Sequence, residues 1–246
     1  LEWDWTGSDV MPSWNNLIET PVVAQLTDDN GDGEINEEDI PDVAFLASQG
    51  MEGGEAIIRV VSGDSGEEYF AITDPNYRAI VGSGLAIGDI DNDLLPEIIG
   101  FKRLANVAMA FENDGTFKWL GKKSACANVP AIADLEGDGN PDIIMGDVVY
   151  NSDGSEKWSK PFFYCNLYRY VIPCVANIDL ESGNEVIMEH RAFSANGTLL
   201  WKAEGLTESE ARACAVANFD DDAFPEIVFV GGGMIHLYEH DGKKKW

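Results

Sequence analysis

Basic residues are scarce in this chain of 246 residues. Sixteen lysines and arginines stand against 44 aspartates and glutamates, a formal net charge of −28. So acidic a balance excludes nucleic acid and anionic membrane surfaces as partners, because both select positive faces. Long apolar runs are missing too: no stretch of about 18 apolar residues occurs, so no membrane insertion is expected. Histidine is limited to His190, His236 and His240, read as surface groups rather than as a zinc set. The four cysteines, Cys126, Cys165, Cys174 and Cys214, lack Cys-x-x-Cys spacing, which leaves zinc and thioredoxin-like chemistry without support. There is no Gly-x-Ser-x-Gly, phosphate-binding loop or dinucleotide fingerprint, and the chain is expected not to be an enzyme. With no initiator Met and no signal peptide, it reads as a mature or excised piece of a longer protein.

What is abundant is an acidic loop followed by a short apolar strand, and it occurs five times. Four copies are nine residues long with oxygen-bearing side chains at positions 1, 3, 5 and 9. These are Asp89, Asp91, Asp93 and Glu97; Asp134, Glu136, Asp138 and Asp142; Asn177, Asp179, Glu181 and Glu185; Asn218, Asp220, Asp222 and Glu226. The first copy is longer and EF-hand-like, with Asp28, Asn30, Asp32, Glu34 and Asp39 along it and Asp42 opening the next strand. Alternate residues of a tight loop can all turn oxygens inward, which suits a hard cation such as Ca²⁺ with its six to eight oxygen ligands. All-oxygen donors disfavour zinc and copper.

Around each loop the same grammar recurs. A small apolar strand leads in (Val129-Pro-Ala-Ile-Ala133), and a β-branched strand follows the loop (Asp142-Ile-Ile-Met145). A third strand then runs into an Asp-Gly or Asn-Gly hairpin, and a fourth closes on Trp119, Trp158, Trp201 or Trp246. Four short antiparallel strands per unit, repeated at about 40–45 residues, predict an all-β fold of β-propeller blades. The expected blades are 20–75, 79–121, 125–160, 168–203 and 211–246, in one domain spanning 1–246. Residues 1–19, with the Trp-containing segment Leu1-Glu-Trp-Asp-Trp5, would complete or close the ring. Because the fifth unit already has its own closing tryptophan, the five blades are expected to belong to a larger ring of about seven; the alternative is that the five close on themselves and the N-terminal strand pairs elsewhere.

The set of five loops, variants of an Asp-x-Asp/Glu-x-Asp run ending in Pro-Asp/Glu-Ile after a small apolar strand, resembles the FG-GAP/VCBS repeat of integrin α-subunit propellers. The resemblance covers roughly residues 20–246. It implies several Ca²⁺ ions, up to five, in the loops between the first two strands of the blades. In these the position-7 residues Leu95, Asn140, Gly183 and Phe224 would add backbone carbonyls. The fourth and fifth loops depart from the pattern by opening on Asn177 and Asn218, and the fourth also lacks a proline before Glu185.

Cys174 and Cys214 occupy corresponding strands of successive repeats and could bridge them, which would leave Cys126 for Cys165. Four buried thiols are the alternative. Oxidised cysteines and weak calcium sites both point outside the cell. The expected function is therefore a secreted or cell-surface, calcium-binding module for adhesion, with a protein or glycan ligand on the cell surface or in extracellular matrix. The alternatives are a calcium-dependent polysaccharide lyase-like enzyme and a structural module of an extracellular filament. Lys102, Arg103 and Arg169 are the basic residues such an enzyme could use. The aromatic run Phe162–Tyr170 is a candidate sugar-stacking surface, with packing between blades the competing reading. Asn196-Gly-Thr198 is both a glycosylation sequon and a hairpin turn.

Overall fold

Each acidic loop joins two antiparallel strands, and the strand after it is more deeply buried than the strand before it. The computed structural model describes residues 3–50, 54–126, 129–160, 171–207, 210–211 and 213–246. They fall into two compact units, Leu1–Ser124 and Ala125–Trp246. The run Phe162–Tyr170, with Cys165 and Arg169, lies outside the described residues, and so does the Cys126–Cys165 pairing.

In the first unit, β1 (Val22–Ala24), β2 (Asp42–Ser48), β3 (Glu55–Ser62) and β4 (Glu68–Ile72) form one antiparallel meander. After a 3₁₀ turn, Pro75–Tyr77, comes β5 (Ala79–Ile80). A second meander follows, of β6 (Ala86–Gly88), β7 (Glu97–Lys102), β8 (Val107–Phe111) and β9 (Phe117–Leu120). The two-residue β5 pairs with both β3 and β7, so the first two repeats share a nine-stranded sheet. The second unit holds β10 (Pro130–Ala133), β11 (Asp142–Met145), β12 (Val148–Tyr150) and β13 (Glu156–Ser159). Next come β14 (Cys174–Ala176), β15 (Glu185–Met188), β16 (Arg191–Phe193) and β17 (Leu199–Lys202). The last sheet has β18 (Ala213–Ala217), β19 (Glu226–Gly231) and β20 (Met234–Tyr238), and its fourth strand is reduced to a bridge between Tyr238 and Lys244.

Sequence and burial agree strand by strand. In Glu97-Ile-Ile-Gly-Phe, Asp142-Ile-Ile-Met and Glu185-Val-Ile-Met every residue is buried on both faces, as continuous β-branched runs require. The fourth strands are more exposed, and Trp158 is the residue of β13 that is buried.

Aromatics hold successive repeats together. Trp158 lies against Gly197, the hairpin glycine of the next repeat, so closely that a Cβ there would sit 2.7 Å from the indole. Its Nε1 donates to the Ala195 carbonyl at 2.7 Å. Trp201 covers Gly242 in the same way. Both glycines also have positive φ, 78° and 83°, so two independent constraints demand glycine there. In the first unit Phe70 takes the tryptophan's place over Gly115, and Trp3 sits over Gly66 with its Nε1 bonded to Gly63 O at 2.9 Å. Residues ahead of β1 thus supply the aromatic of a preceding repeat, while Trp14 and Trp5 pack on Phe45 and Ala47.

Within the second unit, Ile144, Val149 and Trp158 of one sheet meet Val186, Met188 and Phe193 of the next. Ile187, Ala192 and Trp201 then meet Ile227, Phe229 and Tyr238. The disulfide Cys174–Cys214 ties the lead-in strands of these last two sheets, with Cα atoms 5.9 Å apart. In the final sheet Val228 pairs with Leu237, and the closing Trp246 is 62% exposed.

All sheets are antiparallel, as expected, but none among the described residues closes into a propeller. The structure shows an all-β chain of serial antiparallel meanders, two of them fused by β5, and does not show the expected ring of five blades out of seven. Strand periodicity and hairpin signals fix pairing between sequence neighbours. They do not encode the angle between sheets, which closure depends on.

Candidate functional site

Each acidic loop is held by its own carboxylates, and the roles are divided by position. The position-1 aspartate caps backbone amides. Asp89 accepts from Asn92 N at 2.7 Å and Leu94 N at 2.9 Å. Asp134 accepts from Gly137 N and Gly139 N, both at 2.7 Å, and these amides hold its carboxyl below the usual range. In the third loop glycines fill the left-handed positions that Asn92 (φ 63°) and Leu94 (φ 74°) occupy in the second. The long first loop repeats this arrangement: Asp28 accepts from Gly31 N at 2.6 Å and Gly33 N at 2.9 Å. Asp39 closes it on Asp29 N at 3.1 Å and Asn36 N at 2.9 Å. Asn30 and Asp32 cap Asp32 N and Glu34 N.

The position-9 acid is buried and reaches back across the loop. Glu97, Glu185 and Glu226 each accept the position-2 amide, of Ile90 (2.8 Å), Ile178 (2.8 Å) and Phe219 (2.7 Å). Asp42 accepts from Leu26 N and Thr27 Oγ1, both at 3.0 Å. Burial raises the Glu97, Glu185 and Asp42 carboxyls despite these bonds, and pushes Asp142 up to about 6.

The sequence reading missed the cation that answers this cost. Lys118 Nζ lies 2.7 Å from Asp91, 3.0 Å from Glu97 and 2.9 Å from Glu112. Lys157 pairs with Asp142 at 2.8 Å and with Glu136. Lys245 pairs with Glu226 at 3.1 Å, Glu239 at 2.8 Å and also Asp220. Burial alone would lower the Lys118 ammonium, but hydrogen bonds to Asp91, Glu112 and Glu97 outweigh it and the group is raised. The signal was legible: in these repeats a lysine immediately precedes the closing tryptophan. In the other two repeats that position is Tyr69, which donates to Asp29, and the exposed Leu200.

The asparagine loops are closed differently. Asn177 Nδ2 donates to Glu181 O at 2.6 Å, and Asn218 Nδ2 donates to Asp222 O at 2.7 Å. The amide spans the loop from position 1 to position 5. An aspartate has no donor to do so.

Ligand atoms gather most tightly in two repeats. Asp89, Asp91 and Glu97 converge within 4.8 Å of one another, as do Asp93, Glu97 and Glu112, and in the fifth loop Asp220, Asp222 and Glu226. Glu112, from the hairpin, was not foreseen. Asp138 caps Asn140 N in the third loop, and Asp179 caps Glu181 N in the fourth. Among the described residues neither loop shows such convergence. Leu95 and Phe224 have their amides capped by Asp93 and Asp222. These all-oxygen donor sets fit a hard cation. A cation at Asp91 and Glu97 would share them with the Lys118 ammonium or displace it.

Two histidine expectations change. His236 is buried opposite Phe229 rather than on the surface, and His240 stacks on Phe224 with centroids 4.0 Å apart. Glu189, in the turn after β15, and Arg191, which opens β16, form a buried pair at 2.9 Å. No helix of the described residues is long and apolar enough to cross a membrane.

No family model matches the chain, and no curated protein does either. Among solved structures it is similar to the V. cholerae biofilm matrix protein Bap1, at 27% identity and a TM-score of 0.86. That match covers 100% of this chain and 42% of the other. The exotype rhamnogalacturonan lyase YesX matches 92% of this chain and 45% of its own at 15% identity and a TM-score of 0.62. The rhamnogalacturonan lyase YesW matches 91% and 45% at 17% identity and a TM-score of 0.56. The chain thus spans less than half the length of each. These findings overturn the resemblance to FG-GAP/VCBS repeats: the likeness carried no further than the loop. An Asp-x-Asp turn ahead of an apolar strand is a local solution to capping exposed amides, and different architectures can use it. The chain's established likeness is to the fold of these three structures.

Proposed function

We propose that this chain is a structural module of an extracellular matrix, stabilised by Ca²⁺ in its acidic loops and in contact with a glycan or protein of that matrix. The observation that carries the reading is the superposition of the whole chain on a biofilm matrix protein. The Cys174–Cys214 disulfide supports an oxidising, extracellular setting. In the second repeat Asp89, Asp91, Asp93 and Glu97, with the Leu95 carbonyl, would hold the ion. The corresponding residues of the fifth loop, Asp220, Asp222 and Glu226, would do the same. Bound Ca²⁺ would offset charge that the loops concentrate and link their order to metal concentration.

The test is calorimetry of the chelator-stripped protein with Ca²⁺, read beside its melting temperature and its co-sedimentation with matrix exopolysaccharide. Binding heats, a raised melting temperature and co-sedimentation are expected. A protein indifferent to Ca²⁺ and left in the supernatant would sink the reading. Fold-level likeness to two polysaccharide lyases supports a second reading, an enzyme, and ultraviolet detection of an unsaturated product from pectic glycan decides it.

A further inference from the structure

Cations in so acidic a chain are expected to be absorbed by acids, yet three of them line one concavity of the first unit where, among the described residues, Glu55 is the carboxylate between them. Arg78, Lys102, Arg103 and Glu55, together with Pro75 and Leu104, enclose about 340 Å³. That is the lower end of the range for small-ligand sites, about 300–1,000 Å³. We propose that this cleft binds a carboxylate-bearing saccharide, the uronate of an acidic glycan. That the carboxylate belongs to a sugar rests on the matrix reading above; that the cleft takes a carboxylate rests on the geometry alone.

The protein's own carboxylate marks the position. Glu55 lies 3.3 Å from Arg103 Nη1 and 4.0 Å from Arg78 Nε, long contacts for a side chain that is 48% exposed. A pair so loose and solvated is readily displaced. The Arg78 side chain is only 11% exposed, and its Nη1 is buried without a hydrogen-bond partner. A guanidinium offers parallel donors matched to a carboxylate, and the Arg103 and Arg78 forks both border the cleft.

The cleft is also rigid where it must be and strained where it opens. Arg78 lies 4.8 Å from the centroid of Trp14, and Lys102 sits 5.9 Å from that of Tyr77. Lys102 also donates to the Asn76 carbonyl, which holds the ammonium at the cleft without neutralising it. Tyr77 in turn stacks on Phe117 at 4.4 Å. Asp74, which caps the 3₁₀ turn, is committed to Asn76 N at 2.8 Å. The lip of the cleft holds a left-handed non-glycine residue, Leu104 (φ 69°), which is 82% exposed. Such backbone persists where the surroundings impose it, commonly at ligand sites.

The experiment is calorimetry with digalacturonate, its methyl ester and sodium sulfate, on the wild type and on Arg103→Gln, Lys102→Gln and Glu55→Gln. All three substituted side chains reach solvent, and equal melting temperatures confirm folding. Digalacturonate is expected to bind, to weaken roughly ten-fold or more in Arg103→Gln and Lys102→Gln, and to tighten in Glu55→Gln. Absence of binding, equal binding of the ester, or indifference to the three substitutions would overturn the site. Sulfate binding as tightly as the disaccharide would overturn the saccharide assignment. A Ca²⁺ response measured in the same samples keeps the two proposals apart: calcium stabilisation without uronate binding removes this site and leaves the matrix module standing.

Discussion

Lys118 Nζ lies 3.0 Å from Glu97 Oε1, a carboxylate whose side chain is wholly buried and whose other oxygen accepts the Ile90 amide. The chain carries its own cation into the loop that would otherwise depend on one from solution. The same lysine is present in the third and fifth repeats and missing from the first and fourth.

Lys118→Met therefore leaves Glu97 buried without its counter-charge. In chelator the variant should lose about 2 kcal/mol, discounted from the cost of breaking a fully buried pair because Lys118 retains some exposure. Adding Ca²⁺ should restore more stability to the variant than to the wild type. Urea denaturation with and without Ca²⁺ measures both, and an identical response in the two proteins would exclude the cluster around Glu97 as a shared lysine and metal site.

Asn177→Asp exchanges the amide that bonds Glu181 O for a second acceptor. Without metal it should cost about 1 kcal/mol, the worth of one lost hydrogen bond. With Ca²⁺ the loss should reverse, because the fourth loop then has an aspartate where the second and third do. A loss that Ca²⁺ leaves untouched would mean this loop is a connector only.

Trp158 and Trp246 hold the same place in their repeats but bury very differently, 7% and 62% exposed. Trp158→Ala should cost about 3–5 kcal/mol, as for a core aromatic. Trp246→Ala should cost less than about 1 kcal/mol, as for a surface residue. Comparable losses in denaturation would show that the outer face of the last sheet is covered in solution.

Replacing Cys174 and Cys214 together by alanine opens a loop with a sequence separation of 40. Loop-closure entropy puts the loss at about 3–4 kcal/mol. The melting temperature of the double variant is the measurement. No change would mean that packing of Ile187, Ala192 and Trp201 against the next sheet suffices.

The strands, hairpins and loops were legible because each rests on local chemistry. Ile143 and Ile144 are β-branched and bounded by turn residues, Gly197 follows an asparagine in a hairpin, and Asp134 precedes glycines whose amides it caps. The role of Phe70 was less legible, since it does a tryptophan's work with a different ring. Lys118, Lys157 and Lys245 read as filler before a tryptophan, because the loop acids they meet lie 15 to 27 residues away and only strand pairing brings them together.

The sequence by itself determined an all-β chain of repeated acidic turns, because backbone capping, β-branching and turn geometry act over a few residues. Tertiary structure alone decided the rest. It fused the first two repeats through β5, set lysines among the acids, buried His236, and drew Arg78, Lys102 and Arg103 around Glu55. Those outcomes depend on how sheets and connecting turns meet in space, where distances between side chains far apart in the chain set both charge pairing and burial.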